Sequence, residues 1–136
     1  MGRILAIDYG TKRTGIAITD ELQIIASGLT TLPTAGLISF LKDYVKKENV
    51  ELFVIGEPKQ MNNEVSESEV FIKQFIEQLN KTIPNVPIER VDERFTSKIA
   101  VKSMIESGLK KSKRKDKAII DEISATLILQ SYLQRK

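Results

Sequence analysis

The chain has 136 residues, of which 41% are apolar and 29% are charged, a composition that predicts one globular domain over residues 1–136. It contains neither histidine nor cysteine. Disulfides, zinc sites built on nitrogen or sulfur, and histidine or cysteine catalysis are therefore excluded, so any bound metal needs oxygen ligands, which favours Mg²⁺ or Mn²⁺. No apolar run approaches the roughly 20 residues that span a bilayer. We expect a cytoplasmic protein with no membrane partner, because cysteine and a signal-peptide pattern are both missing.

The net charge of +3 comes from one short segment. Six of the 21 basic residues fall between Lys110 and Lys117, and the rest of the chain has 15 basic and 17 acidic residues. Such a local excess of positive charge indicates a polyanionic partner, although a solvated charge run is the alternative interpretation. The basic residues that we expect to contact nucleic acid here are Lys110, Lys111, Lys113, Arg114 and Lys115.

In chain order, three strands come first. Apolar and threonine-rich runs indicate strands over Arg3–Tyr9, Gly15–Thr19 and Ile24–Leu32, which together predict an antiparallel meander. A helix is predicted from about Thr34 onwards. Its apolar residues recur at helical spacing, at Leu37, Ile38, Leu41 and Val45.

The second half of the chain alternates helices and strands. Strands are predicted over Glu51–Ile55 and Pro87–Val91, with a helix between them, and further helices over Ser97–Ser107 and Ala118–Leu133. The helix between the two strands shows an apolar stripe formed by Val70, Phe71, Phe75, Ile76 and Leu79. Strands separated by helices pair in parallel through right-handed crossovers. The sequence therefore predicts an α/β domain with a mixed five-stranded sheet, three strands in a meander and two parallel, flanked by helices.

Acidic residues end three of the predicted strands, at Asp8, Glu57 and Asp92-Glu93. The three strands point the same way, so their ends should meet at one edge of the sheet, and Asp121 near the start of the last helix offers a fourth carboxylate. A carboxylate at the end of a buried strand needs a cation or N–H donors beside it. Several carboxylates without histidine are typical of a two-metal phosphoryl-transfer site. For each acid taken alone, an ordinary loop position or a favourable helix-dipole interaction is the alternative.

Groups that could bind phosphate flank these acids. Lys12 and Arg13 lie in the glycine turn after the first strand, whose N–H groups could form an anion nest, and Arg94 has the planar fork that contacts phosphate or a carboxylate in pairs. Aromatic residues are scarce. Tyr9 and Phe95 lie near the expected cleft, and either could stack on a base or pack in the core.

Four segments in order carry a resemblance to a known family: Asp8–Ala17, Val54–Pro58, Asp92–Ser97 and Asp121–Leu133. With them the chain resembles the YqgF family of RNase H-like nucleases, described as Holliday junction resolvases and as nucleases that mature the precursor of small-subunit ribosomal RNA. The resemblance implies an RNase H-like fold. It also implies functional residues, namely the catalytic and metal-binding carboxylates Asp8, Glu93 and Asp121 and the nucleic-acid-binding residues Gly10, Thr11, Arg13 and Arg94.

The chain departs from the family pattern in two places. The second motif usually reads Gly-Leu-Pro and continues with an Asp-Gly turn, whereas here Glu57 replaces the apolar residue and Asn62-Asn63-Glu64 replaces the turn. Glu57 is then either an exposed acid or an added metal ligand. In the last motif Glu122 follows Asp121, where a small or apolar residue is usual.

We therefore expect a metal-dependent nuclease that acts on structured nucleic acid, as a monomer or a weak homodimer. Processing of the precursor of 16S rRNA is the first expectation, and resolution of branched DNA is the second. A non-catalytic nucleic-acid-binding module with the same fold is a rival hypothesis. Nucleotide binding is a further one, because actin-like kinases open with a similar turn, but they close two lobes around ATP and 136 residues supply one.

Overall fold

A computed structural model describes residues 2–57, 69–92 and 117–135. These residues form a five-stranded sheet and three α-helices, with a short 3₁₀ turn over Thr34–Gly36. In chain order the elements are β1 (Arg3–Asp8), β2 (Arg13–Thr19), β3 (Ala26–Pro33), α1 (Leu37–Lys47), β4 (Val50–Glu57), α2 (Glu69–Thr82), β5 (Ile88–Asp92) and α3 (Lys117–Arg135). The predicted helix over Ser97–Ser107 lies outside the described residues.

The strands lie in the order β3-β2-β1-β4-β5. β1 pairs with β2 and β2 with β3 in antiparallel fashion, whereas β4 pairs in parallel with both β1 and β5. The prediction of a mixed sheet with a three-stranded meander and two further parallel strands is confirmed. β1 is thus the central strand, and its carboxyl end lies between the start of β2 and the end of β4.

The two faces of the sheet are covered by different helices, because side chains alternate along each strand. In β1, Leu5 and Ile7 belong to the apolar cluster that includes residues of α1 and α2. Ile4 and Ala6 belong to a second cluster, which α3 completes with Ala125, Ile128 and Leu129. Within the described parts of the chain, no helix is long and apolar enough to cross a membrane.

The predicted stripe of α2 is wrong at its first two positions. Val70 and Phe71 are 60% and 49% exposed, while Ile72 is buried. Glu69 lies on the inward face, and its buried carboxylate is held by Arg90 on β5. The buried apolar residues that follow at helical spacing, Ile72, Phe75 and Leu79, face the sheet, whereas the two residues directly after Glu69 point away from it.

The third strand begins at Ala26 rather than at Ile24. The Asp20 carboxylate accepts hydrogen bonds from the N–H groups of Ile24 and Ile25, both at 2.8 Å, and Gln23 adopts a left-handed conformation with φ 59°. These contacts fold the segment into a turn, so the two isoleucines lie in it largely exposed. Two apolar residues that favour a strand are thereby kept out of the sheet.

Candidate active site

Three acidic residues end the three parallel strands at one edge of the sheet. Asp8 ends β1, Glu57 ends β4 and Asp92 ends β5. Glu57 and Asp92 are direct register partners, and Ile7, just before Asp8, pairs with Ile55 of β4. Asp8 and Glu57 are both partly buried. The expectation that these strands end in acid at a common edge is confirmed.

Asp8 lies on the face of the sheet that α3 covers. It continues the alternation of Ile4 and Ala6, which pack in the cluster of α3. Asp121 lies in the first turns of α3, four residues or about one helical turn before the buried Ala125. The backbone therefore brings the positions of two motif carboxylates to the same face of the sheet, although the side chain of Asp121 is not among those described.

The third motif carboxylate, Glu93, follows Asp92 directly but lies outside the described residues. Across residues 2–57, 69–92 and 117–135, no three acidic, histidine or cysteine side chains come together as a metal-binding group. The joint coordination of metal by Asp8, Glu93 and Asp121 stays a prediction. Its donor set is consistent with Mg²⁺ or Mn²⁺, because the residues concerned offer only carboxylate oxygen.

The turn between β1 and β2 is tight and held from outside. A Cβ atom on Gly10 would overlap the carbonyl oxygen of Arg13, so this position requires glycine. Thr34 stabilises the turn with two hydrogen bonds. Its N–H donates to the Lys12 carbonyl at 3.1 Å, and its hydroxyl donates to the Gly10 carbonyl at 2.5 Å. Its hydroxyl also lies 2.8 Å from that of the buried Thr14. Sequence reasoning missed Thr34, because its role depends on a contact with residues more than 20 positions away.

Only part of the predicted nucleic-acid-binding set falls on described residues. In the β1–β2 turn, Thr11 and Lys12 are exposed and Arg13 is partly buried. Their place beside Asp8 suits contact with the phosphates of a bound strand. The remaining predicted contacts lie outside the described residues, and these are Arg94, Lys110, Lys111, Lys113, Arg114 and Lys115.

Arg90 is a further residue of this edge that sequence reasoning missed. Its guanidinium contacts both carboxylate oxygens of Glu69, at 2.7 and 3.2 Å, and donates to the Gly56 and Ile55 carbonyls at 2.9 and 3.2 Å. It also lies 3.9 Å from the carboxylate of Glu57. Arg90 thus joins β5, the end of β4 and the start of α2. The available signal was a charged residue on the same face of the predicted strand as the apolar Ile88, which packs against the cluster of α1 and α2.

Glu122, the second departure from the family pattern, lies over the edge strand β3. A Cβ atom added to Gly28 would lie 3.5 Å from the Cβ of Glu122. It would lie 3.4 Å from the hydroxyl oxygen of Thr126, one helical turn later. β3 is two strands away from β1. Glu122 therefore lies over a different part of the sheet from Asp8.

Comparison with known proteins places the chain in a family. The family model described as "RuvX: Holliday junction resolvase" matches residues 2–135, and the chain belongs to this family, also called YqgF. A protein of Christiangramia forsetii is 63% identical over 133 residues, covering 98% of each chain. Proteins of Flavobacterium psychrophilum and Bacteroides fragilis are 62% and 60% identical, covering 100% of this chain and 99% of theirs. All three carry the name "Putative pre-16S rRNA nuclease".

A solved structure shares the fold. The chain titled "T. thermophilus RuvC in complex with Holliday junction substrate" aligns with a TM-score of 0.59 and 15% sequence identity, covering 99% of this chain and 96% of that one. The predicted RNase H-like fold is thereby confirmed.

Proposed function

We propose that this protein is a metal-dependent nuclease that hydrolyses phosphodiester bonds in the precursor of 16S rRNA. The observation that carries the proposal is the acidic edge of the sheet, where Asp8 ends the central strand on the face covered by α3. The name of the relatives, which match over the whole chain at 60–63% identity, supports the choice of substrate. We also propose a cytoplasmic location, because ribosomal RNA would be the substrate.

We assign the metal to Asp8, Glu93 and Asp121. A divalent cation bound there would lower the pKa of a bound water and stabilise the charge that develops on the leaving oxygen. Asp8 directly follows four buried residues of β1, Ile4 to Ile7, so its backbone is held in a fixed place relative to the sheet edge. Lys12 and Arg13 would hold the phosphates that flank the cleaved bond, and the basic segment from Lys110 to Lys115 would add affinity without sequence preference.

The test compares Asp8→Asn with a matched substitution elsewhere. Asp8→Asn should reduce metal-dependent cleavage of a precursor 16S rRNA fragment by about 10³-fold or more, since several kcal/mol of transition-state stabilisation would be lost. Asp43→Asn, an identical chemical change on the exposed side of α1, should leave the rate unchanged. Both variants should bind the RNA and unfold like the parent protein. Full cleavage by Asp8→Asn would refute the assignment.

Resolution of four-way DNA junctions is the second candidate, favoured by the description of the family model. Two symmetric cuts need two sites, so this activity predicts a homodimer, whereas RNA trimming is compatible with a monomer. The same preparation should be given precursor RNA and a four-way junction in parallel, with its mass measured at the assay concentration. We expect RNA to be cleaved faster. Salt-sensitive binding of both, with no metal-dependent product from either, would instead support a non-catalytic binding module.

A further inference from the structure

A cavity of about 410 Å³ opens beside the β1–β2 turn, between that turn, the start of α1 and α2. It lies on the face of the sheet opposite to Asp8, because Tyr9, the next residue, packs against the cluster of α1 and α2. The volume is within the range of small-molecule sites and exceeds what one planar ring system requires. The cavity is therefore close to the proposed catalytic edge but separate from the carboxylates.

Aromatic rings supply much of the cavity wall. Tyr9 and Phe75 stack on each other with ring centroids 5.1 Å apart and an interplanar angle of 29°. Phe71 lines the same space, and it is 49% exposed although it belongs to a well-packed helix. About half of this side chain is therefore accessible to a ligand. Its open face is suited to stacking with another flat ring.

The polar groups around the cavity are all uncharged. Gln74 and Gln78, one helical turn apart on α2, line it together with Thr11 and Thr34. An amide both donates and accepts hydrogen bonds, as does a hydroxyl, so these groups match the mixed donors and acceptors of a base edge. Because the described lining carries no charge, it does not favour a phosphate. Lys12 and Arg13, which carry positive charge, follow Thr11 directly in the chain.

We propose that this cavity receives an unpaired nucleobase of the substrate, stacked on Phe71 and read by the two glutamine amides. The proposal rests on the proposed function, and it narrows the substrate to nucleic acid with an unpaired or splayed nucleotide near the cleaved bond. A base inside a duplex cannot present its face to a side chain. The bound nucleic-acid strand would cross the sheet edge at the β1–β2 turn, with one phosphate beside Lys12. The next bases would then lie on the face of the sheet that carries Asp8.

The experiment measures binding without turnover. Fluorescence anisotropy in EDTA at low salt should compare a labelled single-stranded RNA of mixed sequence with an abasic oligonucleotide of equal length. Phe71→Ala should weaken binding of the base-bearing strand by about 10-fold, in line with the loss of one stacked base. Binding of the abasic strand should not change. Phe71→Trp should retain or improve the affinity for bases.

Val70→Ala is the matched control, because Val70 is the exposed neighbour of Phe71 and does not line the cavity. It should alter neither affinity. The cavity proposal is overturned if Phe71→Ala weakens the binding of both oligonucleotides equally or of neither. It is also overturned if the parent protein binds neither oligonucleotide, or binds the abasic one as tightly as the base-bearing one. The two proposals fail separately. Base-dependent binding without any cleavage would contradict the nuclease alone, and cleavage lost in Asp8→Asn with unchanged base binding in Phe71→Ala would contradict the cavity alone.

Discussion

The two faces of the sheet are packed in different ways. On the face under α3, three fully buried alanines, Ala6, Ala17 and Ala125, lie at the contact between helix and strands. On the other face the buried side chains are larger, with Phe53 and Leu41 fully enclosed. Small residues allow a helix to approach a sheet closely, whereas large ones hold it further away. The face that carries Asp8 is thus the close-packed one, and the open cavity lies on the other.

The helices are also anchored differently. α2 is tied to the sheet by the paired contacts between Arg90 and Glu69. The described residues of α3 pack mainly through apolar side chains, and the hydroxyl of Thr126 donates within the helix to the Glu122 carbonyl. The position of α3, and with it the distance from Asp121 to Asp8, therefore depends on side-chain volume. Substitutions on the two faces should separate stability from activity.

The largest effect on stability is expected from Leu41→Ala, on the face of α1 and α2. Leu41 is fully buried, so the truncation should lower the free energy of unfolding by about 3–4 kcal/mol through lost burial and a residual cavity. Cleavage per folded molecule should be unchanged. Urea unfolding and single-turnover assays measure the two quantities, with Leu41→Met as a control of similar volume. A loss of activity beyond the loss of folded protein would contradict the separation of the faces.

Arg90→Met tests the polar anchor of α2. It should cost about 2 kcal/mol, less than a fully buried pair would, because the arginine side chain is 22% exposed while Glu69 is left buried and unpaired. Adding Glu69→Gln should recover part of this loss, and a double-mutant cycle followed by urea unfolding measures the coupling. Arg3→Met, whose partner Glu48 is 40% exposed, should cost less. If Arg90→Met and Arg3→Met lowered the free energy of unfolding equally, the buried pair of Arg90 and Glu69 would stabilise the fold no more than the exposed pair does.

Ala17→Leu tests the close packing under α3. The larger side chain should lower the free energy of unfolding by only about 1–2 kcal/mol, since overpacking is relieved by a shift of the helix. That shift should reduce cleavage by a larger factor than Leu41→Ala does, because Asp121 moves relative to Asp8. Ile16→Leu, the neighbouring volume-conserving change on the opposite face, is the control. Normal cleavage by a stably folded Ala17→Leu protein would contradict the idea that activity depends on the distance between α3 and the sheet.

The smallest effect is expected at Asp20, which belongs to neither face. Its pKa lies below the ordinary value of 3.8, chiefly because its carboxylate accepts hydrogen bonds from the N–H groups of Ile25 and Ile24. A carboxyl group whose pKa is lower in the folded state than in the unfolded state stabilises the fold at pH values above its unfolded-state pKa. This stabilisation is lost as the pH falls through the folded-state pKa. Asp20→Asn should therefore unfold slightly more easily at pH 7, and the difference in urea midpoint should shrink below pH 3.8. A difference that grew with acidity would refute this interpretation.

Much of the fold was predictable from local patterns. The runs predicted as strands over Arg3–Tyr9 and Glu51–Ile55 correspond to β1 and β4, because both are short, apolar and followed by a glycine. The start of β3 and the stripe of α2 were mispredicted, each for a physical reason. The Asp20 carboxylate accepts hydrogen bonds from two N–H groups that a strand would have used. The helix α2 is rotated so that Glu69 is buried in contact with Arg90.

The candidate site was predictable only in part. An acid directly after an apolar strand, as at Asp8, is visible in the sequence, and the parallel pairing of strands explains why such acids share an edge. Arg90 and Thr34 could not be recognised, because each acts through partners at least 20 positions away. The cavity at Phe71 was hidden for the same reason.

The sequence by itself determined the chemistry that is available: without histidine or cysteine, only oxygen can hold a metal, and strand-ending acids are where that oxygen lies. The tertiary structure decided the placement, namely that Asp8 lies under α3, that Tyr9 packs on Phe75 and that Phe71 remains half exposed. The physical reason is that residue types are fixed along the chain, whereas burial and proximity arise from contacts between residues far apart in it.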